Sequence, residues 1–494
     1  MGTTAHRLEK GLQAATTVFL FLYVIVQPAS IAVTHIFYAC AAVTWLARLL
    51  IVRGRGLHRG PLDLAILIYL VVCALAASQA PMLALSLEGM RKVALVCVVL
   101  LFAQNVTSLT RARQLVTVLT LSALVTVAWS LWLYSAGVGL KVISSAGAWQ
   151  AAGLAPGDII MSADGRGIAE PRQFLARLGA KRDAEPLQLR VVPLNSIEVM
   201  KNERPVTVPS DAWERATNAG ELGLVLEKAR PVRAFGFYSH YVTYSMVMAL
   251  LASLMFGLWL GSGRPFSISG VFFAGAFLAF LLVLGMTLTR AAWVALVLAC
   301  TVQLWFHFRR TAVRLLLPVG LGLAVLLASA AMYRWRGLGM IDLNDPGLDY
   351  RILMWTDGVR LIREHPWFGV GMNAVRDAWW QFDLQAYRKY PLRSHFHSTP
   401  IQIAVESGIP ALLAWSFLML AYGKMLVQLV ARARGERDRW AYGFALGVLG
   451  GTAGFLASSL VHYDFGDSVV IFLFWFLAGT ALAVRHHLEH KEMP

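Results

Sequence analysis

The chain has 494 residues, of which 57% are hydrophobic and 15% charged. A soluble domain protein carries about 25% charged residues, so the composition excludes a soluble globular protein. The net charge of +16 does not indicate nucleic acid, because the basic residues stand in short loops between apolar runs instead of covering one face of a polar domain.

Twelve runs are each long and apolar enough to cross a bilayer core, at 12–29, 31–51, 62–79, 91–104, 113–135, 238–260, 266–286, 291–308, 313–332, 400–430, 439–460 and 467–485. Loops rich in Arg or Lys lie at 53–59, 111–113, 264, 309–314 and 424–439. All fall on one side if the N terminus is cytoplasmic, which places the C terminus there as well. The first run has a basic lead-in, Arg7 and Lys10, and small residues at 28–32, as a signal peptide has. A retained first helix is expected, because its removal would invert the whole topology. Cys40, Cys73, Cys97 and Cys300 lie inside the apolar runs without CxxC spacing, so neither disulfides nor a metal site is expected on them.

The same alternation puts two long polar segments, 136–237 and 333–399, on the outer side. The expected organisation is therefore transmembrane helices over 1–135, a polar domain over 136–212 and a connector over 213–237. Four spans follow over 238–332, then a catalytic loop over 333–399, and three spans with a cytoplasmic tail over 400–494. The first polar segment opens on Gly137-Val138-Gly139-Leu140 and continues through AGLAPGDII at 152–160, a helix-like PRQFLARLG and a strand-like LQLRVVP. In these features it resembles a PDZ domain of the bacterial kind, an α+β fold. The resemblance implies a peptide or protein partner added to a sheet edge, with Gly137, Val138, Gly139 and Leu140 as the loop that captures its terminal carboxylate. The other reading is an insert that only shapes or shields the outer surface.

Charged residues then gather at the outer ends of the spans. Arg233 precedes the sixth span, Arg290 sits in the short turn between the seventh and eighth, and Arg351 opens an amphipathic stretch with Trp355 one turn later. Arginine at membrane depth is costly and its planar fork suits bidentate capture of phosphate oxygens. Interfacial snorkelling is the alternative for Arg233 and Arg290, and a solvated helix face for Arg351. Thr399-Pro400-Ile401-Gln402 reads as a helix start with Thr399 as its cap. His397 stands just ahead of it, where the helix dipole disfavours imidazolium and favours a neutral base. Ser398 is a second hydroxyl at the same place, and His395 a weaker base. Gly408 and Pro410 split the helix into a half-helix at 400–407 and a full span at 411–430. Glu406 then lies below His397, hydrogen-bonded within the bundle; a carboxylate that only packs helices is the alternative for it, as an interfacial histidine without chemistry is for His397.

Four motifs belong together. Arg351 to Trp355 spells R-x-x-x-W, Pro366 to Gly371 spells P-x-x-G-x-G, His397-Ser398 is followed by Gly408, and Thr287 to Trp293 forms an arginine turn around Arg290. In these the chain resembles the O-antigen ligase family of bacterial inner-membrane proteins, from about 230 to 485. It departs from the family at Thr289 and Ala291 in the arginine turn, at Ala411, and in carrying the polar domain at all. The resemblance implies an all-α polytopic protein of about twelve spans with its active site at the periplasmic face. It implies metal-independent, inverting transfer without a cofactor, from an undecaprenyl-diphosphate-linked glycan to an acceptor hydroxyl. His397 would activate that hydroxyl, and Arg290, Arg351 and Arg233 would hold the diphosphate. Lipid A–core is the acceptor of a ligase, a lipid-linked glycan that of a polymerase, and a protein hydroxyl that of a protein O-glycan ligase. Two other classes compete. An intramembrane protease needs HExxH or a serine motif, which the sequence lacks; His486 to His490 spells H-x-x-E-H, but in a tail with no third ligand. A transporter would use Arg290 and Glu406 as binding charges.

Overall fold

The computed structural model describes residues 3–54, 57–180, 185–193, 203–213, 222–230, 233–238, 240–310, scattered positions between 312 and 334, 346–390 and 393–490. They form two compact units, one of residues 1–124 with 242–494 and the other of residues 125–241.

The first unit is helical. A hairpin of α1 (Thr3–Val26) and α2 (Ile31–Ile51) is clasped by a 2.9 Å hydrogen bond between the Thr16 and Thr44 hydroxyls. Then come α3 (Asp63–Ser78), α4 (Leu83–Val93), α5 (Cys97–Asn105) and α6 (Leu109–Ala136), which runs on into the second unit. After that unit the chain returns with α9 (Tyr241–Gly261), α10 (Ile268–Thr287) and α11 (Arg290–His307). Helix α12 (Pro346–Glu364), two short helices α13 (Ala374–Asp377) and α14 (Gln385–Lys389), and the long α15 (Thr399–Gly435), α16 (Arg439–Ser459) and α17 (Ser468–His490) complete it. Among the described residues nine helices are long and apolar enough to cross a membrane: α1, α2, α6, α9, α10, α11, α15, α16 and α17. The third expected span is the shorter apolar helix α3. The fourth, 91–104, is no single helix: a 3-10 turn at Ala94–Val96 separates α5 from α4, whose Glu88, Arg91 and Lys92 make it amphipathic. The ninth, 313–332, lies largely outside the described residues.

Glycine sets the spacing at the centre of this unit. A Cβ on Gly257 or Gly261 of α9 would collide with the backbone of α16 around Gly443 and Gly447, and further along the same glycine-lined face Gly450 and Gly454 abut α11. Backbones can approach this closely only where small residues face each other. Gly454 abuts the Ala295 carbonyl and Gly450 that of Ala299, so α11 and α16 run antiparallel. The same register carries Arg290, the first residue of α11, to the level of Ser459 at the end of α16.

The second unit holds a six-stranded antiparallel sheet in the order β5-β4-β2-β1-β6, with β3 (Arg166–Gly167) paired to β2. Strands β1 (Leu140–Ser145), β2 (Ile159–Ala163), β4 (Leu187–Val192), β5 (Arg204–Val208) and β6 (Leu224–Lys228), with α7 (Ala148–Ala151) and α8 (Pro171–Ala180), enclose a core of Leu140, Trp149, Phe174, Leu189 and Leu224. Helix α8 and strand β4 lie where the sequence placed them. Strand β6 does not: it falls in the expected connector, yet it pairs with β1 from Leu140↔Lys228 to Ser145↔Leu224. The Trp149 indole donates to the Leu222 carbonyl at 2.8 Å and holds the lead-in to β6.

Candidate active site

Helix α15 begins one residue earlier than its sequence suggests. Ser398, extended at φ −156°, is the N-cap, with Pro400 in the first turn. Its hydroxyl makes no capping bond; instead the Gln402 carboxamide oxygen reaches back and accepts the Phe396 N–H at 2.8 Å. The Thr399 amide and hydroxyl both donate to the His462 carbonyl at 3.1 Å, which ties the start of α15 to the turn between α16 and α17. Between these two anchors the chain turns sharply. His397 has φ +50°, the left-handed region that non-glycine residues seldom occupy and that concentrates at functional sites. Its N–H donates to His395 Nδ1 at 3.1 Å, so a neutral His395 carries its proton on Nε2. The two imidazoles lie 4.3 Å apart, His395 also meets the Tyr463 ring at 5.5 Å, and the half-buried His397 ring stands edge-on to Tyr350 at 5.7 Å.

Ten residues on, the helix breaks. Gly408 has φ 82° and ψ 171°, which interrupts the carbonyl ladder ahead of Pro410 as its sequence indicates. The Pro366–Gly371 segment fills the gap. Val370 N–H donates to the Val405 carbonyl at 2.8 Å, Gly371 N–H to the Glu406 carbonyl at 3.1 Å, and Ile409 N–H to the Pro366 carbonyl at 2.8 Å. Backbone groups freed by the break are thereby satisfied inside the unit. Gly408 and Gly369 allow it: a Cβ on either would land on the backbone of the other segment.

Glu406 lies within this crossing. It is buried and its carboxylate accepts the Asn373 N–H at 2.8 Å. Tyr69, Cys73, Lys92, Asn373, Glu406 and Tyr463 line a small cavity here. Among the described residues Lys92, with its ammonium 6.0 Å from the Tyr463 ring centre, and Arg376 are the cations whose charge acts on the carboxylate. Neither cation was singled out from the sequence. For Lys92 the signal was present: a lysine within an expected apolar span needs a partner. Arg376 gave none, being one basic residue in a polar loop.

Helix α12 lies directly against the 396–401 turn, since Gly358 admits the Ile401 and Phe396 side chains. Tyr350 is buried against His397, Arg351 follows it, and Trp355 comes one turn after Arg351. The Trp355 indole N–H is buried and has no hydrogen-bond partner among the described residues. Thus His397, Ser398, Arg351, Trp355 and Glu406 come from elements packed together, and the α11–α16 register brings Arg290 to the same end of the unit. Arg233 and the Gly137–Leu140 loop belong to the second unit. Arg233 lies over the Tyr241 ring at 4.0 Å. The Val138 N–H donates to the Ala229 carbonyl at 2.9 Å, and Leu140 enters a strand flanked by β2 and β6. In the H-x-x-E-H tail, Glu489 is committed to ion pairs with Arg485 at 2.8 Å and Arg432 at 3.3 Å.

This arrangement offers an imidazole and guanidiniums at one end of a membrane-grade helical unit. Residues 274–416 match the model of the O-antigen ligase family, a stretch from α10 through the first half of α15. No curated protein matches the chain. The matched stretch contains Arg290, Arg351, Trp355, His397, Ser398, Glu406 and Gly408, and leaves out Arg233 and the second unit. Over this stretch the chain is similar to the O-antigen ligase family, and that similarity supports a ligase- or polymerase-like glycosyltransferase role.

Proposed function

We propose that the protein transfers a glycan from an undecaprenyl-diphosphate carrier to an acceptor hydroxyl, as an O-antigen ligase whose acceptor is lipid A–core. The observation that carries this reading is the left-handed turn at His397. It is pinned by Gln402 on one side and the His462 carbonyl on the other, and packed on the helix that bears Arg351 and Trp355.

In this reading the His397 imidazole accepts the proton of the acceptor hydroxyl as its oxygen attacks the anomeric carbon. The bond from that carbon to the diphosphate breaks with its electron pair going to the diphosphate, so the sugar's configuration inverts. Arg351 and Arg290 neutralise the leaving charge, an electrostatic stabilisation that needs no resident metal. The buried N–H of Trp355 is a further donor for a phosphate oxygen. In this reading the basic loops stay on the cytoplasmic side with both termini, and this end of the unit faces the periplasm across a bacterial inner membrane.

Reconstitution tests the reading. Full-length protein receives a lipid-diphosphate-linked oligosaccharide, with and without lipid A–core, in EDTA, and the products are sized. Glycan-capped lipid A–core is the expected product. A ladder of longer lipid-linked chains made without lipid A–core would identify a polymerase. Flux of substrate across vesicles with no new glycosidic bond would overturn the assignment in favour of transport.

A further inference from the structure

A second polar site lies at the other end of the first unit. Helix α16, 21 residues and about 30 Å long, separates the level of Ser459 from Arg439, which is about the thickness of a bilayer's hydrocarbon core. At the Arg439 end a cavity of about 500 Å³ opens between α6, α9, α10 and α16. Its mouth is cationic: Arg113, Arg437 and Arg439 line it with a single acid, Asp438. Asp438 is already committed, capping α16 through the Ala441 N–H at 2.9 Å and pairing with Arg113 at 3.2 Å. That leaves Arg437 and Arg439 as the excess charge. Arg439 folds across the α9–α10 turn: Gly263 has φ +64°, and a Cβ there would stand a tight 3.2 Å from the Arg439 Cζ. Ser262 and Ser269 add hydroxyls, and Trp440, which receives the Arg113 guanidinium at 5.4 Å, adds an aromatic face.

The walls behind this mouth are apolar, from Leu258 and Phe273. Phe266 and Ile268, on the same turn, are 93% and 94% exposed, an arrangement suited to acyl chains and unfavourable in water. A cationic mouth on an apolar wall, at membrane depth, matches an amphiphile with an anionic head.

We propose that this cavity binds the phosphate headgroup of an anionic membrane phospholipid, with Arg437 and Arg439 as its principal contacts and the acyl chains lying over Phe273, Phe266 and Ile268. The site is separate from the glycosyl-transfer machinery and independent of its reading.

Native mass spectrometry of full-length protein tests this, with phosphatidylglycerol and phosphatidylcholine supplied as an equimolar mixture. The wild type retains phosphatidylglycerol in preference to phosphatidylcholine, and the Arg437→Gln/Arg439→Gln variant loses that preference by about thirtyfold. Ser269→Glu, which puts an acid into the cavity at the first turn of α10 where the helix dipole favours it, expels the lipid without unfolding the helix. Equal retention of both lipids by the wild type, or an undiminished preference in both variants, overturns the proposal. Inorganic phosphate that binds alone at millimolar concentration and displaces phosphatidylglycerol would overturn the lipid assignment and make this a site for a soluble anion.

Discussion

Replacing Gly408 by alanine tests the crossing on which the candidate active site rests. The backbone there, φ 82° and ψ 171°, lies in a region nearly reserved for glycine, and holding alanine in it costs about 2 kcal/mol. The new methyl would also occupy the place of the Trp367 carbonyl, so the Pro366–Gly371 segment must move out of the helix break. Its departure undoes the hydrogen bonds from Val370, Gly371 and Ile409, each worth about 1 kcal/mol. The expected destabilisation is about 5 kcal/mol, with glycosyl transfer lost as well, because Asn373 can no longer hold Glu406 at the end of the half-helix that follows His397. Gly423 is the control. It lies in the same helix with open space around it, so Gly423→Ala is neutral or stabilises by up to about 1 kcal/mol. Thermal and denaturant unfolding of both variants in one detergent, followed by tryptophan fluorescence, gives the comparison. A Gly408→Ala protein that unfolds at the same midpoint as Gly423→Ala would refute the argument that the two segments interlock.

His397→Ala abolishes transfer in the reconstituted assay while the unfolding midpoint stays near that of the wild type; turnover within a fewfold of wild type would remove the base assignment. Deleting residues 138–229 with a short linker spares the chemistry if the second unit serves recruitment alone, and loss of turnover in a well-folded deletion would tie that unit to the reaction. The deletion must extend past β6, because stopping near residue 210 would strand the partner of β1. Burial holds the Asp464 carboxyl, in the turn beside His462, up at about 7. Its folded value thus exceeds the unfolded value of about 3.9, so its contribution to stability is full below about pH 4 and is lost as pH rises through about 7. Asp464→Asn imitates the protonated acid, so it should melt like the wild type at pH 4 and above it at pH 8; parallel melting curves across that range would show that Asp464 is not the group responsible. Lys92→Met leaves Glu406 without one of its two facing cations and should lower stability more than Lys92→Met combined with Glu406→Gln does. Additive effects would mean that Lys92 and Glu406 do not interact.

What was legible in the sequence was local. Gly408 and Pro410 announce a break through their own backbone chemistry, and Ser398-Thr399-Pro400 announces a helix start to within one residue. The Pro366–Gly371 string was equally visible, but its task was not. The carbonyls it satisfies lie about 35 residues further along, and nothing in a glycine spacing says which helix it must enter. Strand β6 escaped for the same reason: five residues with little apolar alternation look like a connector until β1, some 80 residues earlier, supplies the other half of the ladder.

Lys92 marks where local reading could have gone further. A lysine within an apolar run has to find an acid or a water-filled cavity, and Glu406, equally out of place in its own run, has to find a cation. Each was readable as an anomaly; pairing them across more than 300 residues was what required the fold. Their meeting point has a consequence for the chemistry. Tyr463 touches both the Lys92 side of the cavity and His395, and the His395 ring lies tilted against that of His397 with centroids 4.3 Å apart. The charge balance around Glu406 is thus two aromatic contacts away from the candidate base. Lys92→Met should therefore shift the pH profile of transfer as well as lower stability, whereas a purely structural lysine would lower stability and leave the profile where it was.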